Sequence, residues 1–398
     1  NASQDLTFGL SYQFNDARSE YDNNCSDAIS YAPLTCSPYS ESQTEAFNLS
    51  SDWDINSLWS TQLTAGFSTD ESEIKADDID INLTTSAALY ETEKTDISWL
   101  NNFQLHKTAL LTLGYDYLNE AVDSSTDYDE DEPDKHAYFF QLQLDYDALA
   151  VNLGARHDDN EAFGTHDTYN IGAGYDITEN VKLIASYGEA FKAPTFNDLY
   201  FPNFGNPDMV PEESDTYELG VKGFSDNFDW SVRAYRNDVD NLIQYNSETF
   251  VNDQISAATM EGLEFTLGGE FYGWAINSAI SFLDAEDDAT GNDLARRPDQ
   301  TINIDIDRNF GRWSIGSTIY GSSSRYNDAD NTSELSGYGL VALRGTYTLN
   351  DEIQLRLKAD NIFDKDYVLA QASSFSSLGD YQQPGTEVLF SVVYTPKF

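Results

Sequence analysis

The sequence predicts an all-β chain folded as a transmembrane antiparallel up-and-down β-barrel, and three observations carry that expectation. Apolar and polar residues alternate with period two over segment after segment. Helical spacing at i, i+3, i+4 and i+7 never persists over a useful length. The connections between segments alternate between short and long along the chain.

Taken in chain order, each segment sorts its side chains onto two faces, because successive Cβ atoms of a strand point to opposite sides. In FFQLQLDY, Phe140, Leu142, Leu144 and Tyr146 alternate with Gln141, Gln143 and Asp145. In VKLIASYG, Val181, Leu183, Ala185 and Tyr187 share a face. TINIDID (301–307) opposes Ile302, Ile304 and Ile306 with Asn303, Asp305 and Asp307, so one face is oily and the other acidic. IQLRLK repeats the arrangement with Leu355 and Leu357 against Gln354, Arg356 and Lys358. About eighteen such segments occur, most of them expected to run 9–13 residues.

Short connections include 145–149, 176–180, 223–230, 307–313 and 348–352. Long ones cover roughly 15–42, 70–90, 119–135, 191–213, 237–254, 285–295 and 363–384. In an up-and-down sheet alternate connections fall at the same end, so one end carries tight turns and the other large loops. Acid concentrates in the loops: NEAVDSSTDYDEDEPDK (119–135) has eight acidic residues and one lysine.

Alternating strands of about ten residues, with tight turns at one end and long loops at the other, are the pattern of a bacterial outer-membrane barrel. Lipid requires every backbone amide to be paired, and a closed barrel leaves no edge. The isoleucines of TINIDID would then meet hydrocarbon and its aspartates a wet interior. A soluble sandwich or propeller with an acidic surface is the alternative, but it does not account for the sustained alternation of connection lengths. A calcium-loaded repeat adhesin would need a glycine–aspartate nonapeptide repeat, which does not occur.

Composition narrows the function. The 398 residues carry 69 acidic and 21 basic side chains, a formal charge of −48, which excludes a nucleic-acid binder because such proteins need basic patches. Metal cations, a cationic ligand or a salt-bathed surface suit that charge better. Aromatics are 14% of the chain, too many for a disordered acidic polymer. No stretch approaches 18 consecutive apolar residues, so no spanning helix is expected. The mean hydropathy of −0.50 fits a barrel with a polar inside and polar loops. The chain opens NASQD without a methionine, so processing or trimming is expected. Cys25 and Cys36 share one polar loop; a disulfide in an oxidising compartment is the preferred reading, with two free thiols as its alternative. The four histidines are scattered, although His157 and His166 flank one loop, and no hydrolase, HExxH, CxxC or phosphate-loop pattern occurs. A binder and conduit is expected rather than an enzyme.

The stretch SYGEAFKAPTFNDLYFPNFGNPDMVPEESDTYELGVKG (186–223) resembles TonB-dependent outer-membrane receptors, and so do YRNDVDNLI (235–243) and DNIFDKDY (360–367). The chain ends VVYTPKF, and the resemblance makes Phe398 the signal to the barrel-assembly machinery. Within the family the pattern is most similar to cobalamin (vitamin B12) receptors. LARRPDQ (294–300), SSRYND (323–328) and GDYQQPGTE (379–387) lie where such a receptor touches its corrinoid, which implies Arg296, Arg297, Arg325 and Tyr381 as ligand contacts. QFNDARSEYDNN (13–24) resembles the receptor loop that binds calcium, with Tyr21 and Asp22 in that role and Tyr21 also near the ligand. Against each contact stands a plainer reading: a lumen arginine pairing with neighbouring aspartates, or a solvated acidic loop. DAEDDATGND (284–293) is not an EF-hand, because Ala295 stands where a glutamate is required.

The resemblance implies a barrel of about 22 strands behind a plug domain that engages TonB, whereas this sequence shows about eighteen strands and no plug. Residues 1–398 are therefore read as one barrel domain. The expected function is uptake of a large scarce nutrient, cobalamin first, in the bacterial outer membrane, energised through TonB. A siderophore, haem or sugar receptor and a passive cation-selective porin are the alternatives. Expected partners are membrane lipid, lipopolysaccharide bridged by divalent ions to acidic loops, TonB and the assembly machinery.

Overall fold

A computed structural model describes residues 5–20, 25–26, 33–34, 37–77, 88–124, 134–161, 163–200, 205–246, 251–371 and 380–396. Among them, eighteen strands form one antiparallel sheet. They are β1 (Leu6–Glu20), β2 (Ser37–Asn56), β3 (Trp59–Asp77), β4 (Ala88–His106), β5 (Ala109–Ser124) and β6 (Asp134–Tyr146). Next come β7 (Leu149–Asn160), β8 (Gly164–Thr178), β9 (Val181–Lys192), β10 (Glu212–Phe224), β11 (Phe228–Asn246) and β12 (Val251–Phe271). The last six are β13 (Trp274–Asp287), β14 (Gln300–Phe310), β15 (Trp313–Ser322), β16 (Tyr338–Thr348), β17 (Ile353–Asp360) and β18 (Glu387–Tyr394). The one described helix, α1 (Phe196–Tyr200), is a single turn in a loop.

The chain divides into two compact units. The first holds Asn1–Tyr146, Val151–Ile171 and Phe191–Pro211; the second holds Asp147–Ala150, Gly172–Ala190 and Glu212–Phe398. In the first unit, Leu10, Leu49, Ala65, Ile97 and Tyr117 are successive cross-strand partners from β1 to β5. In the second, one row runs Val221, Val232, Phe265, Ile280, Ile302. Another runs Ile276, Ile306, Ser317, Leu343, Ala359, Val388. The isoleucines of TINIDID are thus two links in apolar rows that cross the sheet sideways. These rows are not packed into a dry centre: Val388 is 65% exposed and Leu343 48%. A broad exposed apolar band of this kind is unstable in water and suited to lipid.

The opposite face explains the aspartates. Arg344 donates from Nε to Asp307 (2.9 Å) and from Nη1 to Thr318 (2.6 Å), and lies 3.2 Å from Asp305. Thr318 in turn donates to Asp305 at 2.6 Å. The pairing sets a tight space at Gly316, where a Cβ would come within 2.0 Å of Asp307 Oδ1. An arginine paired with its neighbouring acids thus occupies this face.

Two boundaries mark the apolar band. At the tight-turn end Trp313 packs on Tyr347 (4.5 Å), Trp274 on Phe310 (6.3 Å) and Phe228 on Phe271 (5.9 Å), an aromatic belt of the sort that sits at a membrane interface. The turn between β12 and β13 has Tyr272 at φ 52 and Gly273 at φ 79, the two positive values of a type I′ hairpin turn. At the long-loop end the same face becomes charged, with Arg236, Glu261 and Asp284 as successive partners.

Nine of these eighteen strands run past the 13 residues that the alternation predicts. β12 has 21 residues and β2 has 20. Backbone amides pair whatever their side chains, so the ladder continues past the point where hydropathy stops alternating. The expected long connection at 237–254 is in consequence mostly strand, with Asn246 opposite Val251.

Candidate ligand-binding site

The second unit gathers three stretches at its long-loop end: 288–299, 323–337, and a third described over 361–371 and 380–386. Each is tied to the next by reciprocal bonds. Asp293 N donates to Asn331 Oδ1 (2.8 Å) while Asn331 Nδ2 donates to Asp293 O (2.9 Å). Asn292 Nδ2 donates to Ala329 O at 3.0 Å. Between the second and third loops, Gln371 N donates to Asn327 Oδ1 (3.0 Å), and Ser333 Oγ reaches Gln371 Oε1 (2.5 Å). Asn361, at φ 47 and buried, staples the third loop by donating to Lys365 O (3.0 Å) and Pro384 O (3.3 Å). Thr386 closes it through Asn361 O (2.7 Å) and Asp364 Oδ1 (2.9 Å). The DNIFDKDY and GDYQQPGTE stretches therefore meet as one fold-back.

This cluster brings together four of the expected ligand contacts and treats them differently. Arg296 is exposed at φ 63, with its amide donating to Tyr326 O at 2.7 Å. A bulky residue in the left-handed region is a strained conformation held by its surroundings. Arg297 is half-buried; burial pulls its guanidinium below its ordinary value, and the carboxylate of Glu212 opposes that pull. Tyr381 is 54% exposed on the hairpin formed by Val368–Gln371 and Asp380–Gln382. Arg325 is only 7% exposed, and its Nη2 donates to Val368 O (3.2 Å) and Leu369 O (3.1 Å). Its guanidinium also lies 5.8 Å from the Tyr338 ring centre. Arg325 thus joins two loops, while Arg296 and Tyr381 present themselves to the outside.

Loop carboxylates respond to the same packing. Burial, with Asp293 and Asp284 nearby, pushes the Asp299 carboxyl above its ordinary value. At Asp328 burial acts upward too, but donors from Thr332 and Ser333 outweigh it and hold the carboxyl low.

Tyr21, Asp22, Cys36 and Phe398 lie outside the described residues, as does the side chain of Cys25. Among the described residues no group of three or more His, Cys, Asp or Glu side chains is placed to hold a metal ion. In the first unit, His157 Nδ1 is 2.7 Å from Asp167 Oδ1 and His166 stacks on Phe191 at 4.6 Å. The residue the alternation pattern misses is Leu294, a lone large apolar side chain in a polar loop. Its signal was present in Phe282-Leu283, two adjacent apolar residues where a half-polar strand should alternate.

Residues 1–362 match the family model described as TonB dependent receptor-like, beta-barrel. The chain belongs to that family. The TonB-dependent receptors are outer-membrane transporters of Gram-negative bacteria and not enzymes, so the exposed apolar rows face lipid and the Arg344 face lines the barrel. The chain is 31% identical over 368 residues to the vitamin B12 transporter BtuB of Photobacterium profundum, covering 89% of this chain and 57% of that protein. It is 27% identical over 384 residues to BtuB of Vibrio vulnificus, covering 93% and 61%. The chain therefore spans about three fifths of the length of these curated relatives. Among solved structures, the siderophore receptor PiuA of Acinetobacter baumannii superposes with a TM-score of 0.79 at 16% identity, covering 98% of this chain and 72% of that one. The copper transporter OprC gives 0.78 at 15% identity, covering 97% and 75%. At such identities these two share the fold alone.

Proposed function

We propose that this chain is the barrel of a receptor that takes up a large scarce nutrient, with a cobalamin-like corrinoid as ligand and TonB, acting through a plug segment, as the energy source. The observation that carries this reading is the similarity to two proteins named vitamin B12 transporters, over nine tenths of the present chain. The loop cluster supports it, because Arg296 and Arg297 offer planar donor forks suited to a ligand rich in amide oxygens and a phosphate. Calcium held through Tyr21 and Asp22 would order the neighbouring loop, a Cys25–Cys36 disulfide would close it, and Phe398 would address the chain to the assembly machinery. Divalent ions bridging acidic loops to lipopolysaccharide belong to the same proposal.

Equilibrium binding of vitamin B12 to the receptor purified from outer membranes tests it, with calcium and with a chelator. Binding should require calcium and weaken about tenfold or more in Arg297→Ala, the loss expected for one charged hydrogen bond. No binding in either condition, or an unchanged Arg297→Ala variant, removes the corrinoid; a ferric siderophore that binds in the same assay would take its place.

A further inference from the structure

Leu294 is 2% exposed, the largest fully buried side chain among the described residues, and it belongs to a loop rather than a strand. It belongs to one buried apolar cluster with Val239, Leu242, Ala258 and Ala285. Ala285 alternates with Phe282, which is 43% exposed on the lipid side, so Ala285, and through the register Ala258 and Val239, are on the face that carries Asp305 and Arg344. A wet face has no physical reason to carry an apolar cluster unless something covers it, since each exposed side chain there forgoes its burial free energy. Leu294 is the cover.

The backbone follows the side chain inward. Leu294 N donates to Ala285 O at 2.8 Å, and Asp293 forms an antiparallel bridge with Glu286. Two residues further on, Arg296 takes its left-handed conformation, and Arg297 follows. We propose that Leu294 is a positioning residue: seated in this patch, it fixes the 288–299 loop against the inner wall and so holds Arg296 and Arg297 where the ligand meets them. The anchoring stands on the geometry; the consequence for ligand rests on the corrinoid reading above. Without the anchor the loop is in its binding-competent position only part of the time, and the apparent affinity falls by that fraction.

Trypsin reports the anchoring without any ligand, because it can cut between Arg296 and Arg297 only when the loop leaves the wall. In the receptor reconstituted in phospholipid vesicles, Leu294→Ala should be nicked there about tenfold faster than the wild type, and Leu294→Met, which refills the space, at the wild-type rate. Heat-modifiable gel mobility shows that each barrel has folded, and Leu294→Val, with an intermediate rate, serves if Leu294→Ala does not. With vitamin B12 as probe, Leu294→Ala should bind about tenfold more weakly and Leu294→Met normally. Equal nicking of Leu294→Ala and wild type overturns the anchor, and faster nicking with unchanged affinity overturns the positioning role. If no variant, wild type included, binds vitamin B12 while the nicking difference persists, the anchor is upheld and the corrinoid reading alone is lost.

Discussion

Replacing Ile304 with arginine should cost about 2–4 kcal/mol, whereas the same change at its neighbour Asn303 should cost less than about 1 kcal/mol. The geometry places Ile304 near the bilayer midplane. Phe310, in the aromatic belt, is six residues away along β14; at about 3.3 Å per residue and a tilt of about 40°, that is roughly 15 Å along the membrane normal. In the other direction Ser278, the partner of Ile304, is six residues from Asp284, where the face turns charged, again roughly 15 Å. An arginine at this depth cannot reach either interface without deforming the bilayer. At 303 the side chain joins Asp305 and Thr318 on the wet face and meets acid. Urea unfolding in phospholipid vesicles, followed by the fluorescence of the six tryptophans, measures both variants. If Asn303→Arg proves the more damaging, or the two are alike, the assignment of the faces is wrong.

Three further outcomes concern side chains on the wet face and in the loops. Arg344→Ala strands Asp305 and Asp307; the side chains are about a third exposed, which limits the loss to about 1–2 kcal/mol. A double-mutant cycle with Asp307→Asn should then return a coupling of about 0.5–1 kcal/mol in the same unfolding assay. Arg325→Lys keeps the charge but loses the fork to Val368 and Leu369, so the melting temperature should fall, with a cost of about 1–3 kcal/mol. Asp299 has a folded-state value above its ordinary one, so the fold favours its neutral acid; the resulting cost is present above that folded value and disappears as pH falls through it toward the ordinary carboxylate range. Asp299→Asn should therefore melt higher than wild type at pH 7, and the gap should close as the pH is lowered toward 4.

The alternation in VKLIASYG and TINIDID made the strands legible, because a lipid-facing strand must keep one face apolar along its whole membrane path. The same signal failed at 237–246, where β11 has left the bilayer and its ladder runs on through Asp238, Asp240 and Asn241. The four clustered candidate residues were legible only through family resemblance. Nothing in SSRYND tells that Arg325 Nη2 donates to the carbonyls of Val368 and Leu369, more than forty residues further along the chain.

By itself the sequence determined the fold class and which face of its strands is apolar, since period-two hydropathy is a local property that solvent on either side enforces residue by residue. Tertiary structure alone decided how far each ladder runs, which acid Arg344 holds, and that Leu294 carries its loop inward. Those depend on partners tens of residues distant in the chain, brought into register by backbone pairing that is indifferent to side-chain identity.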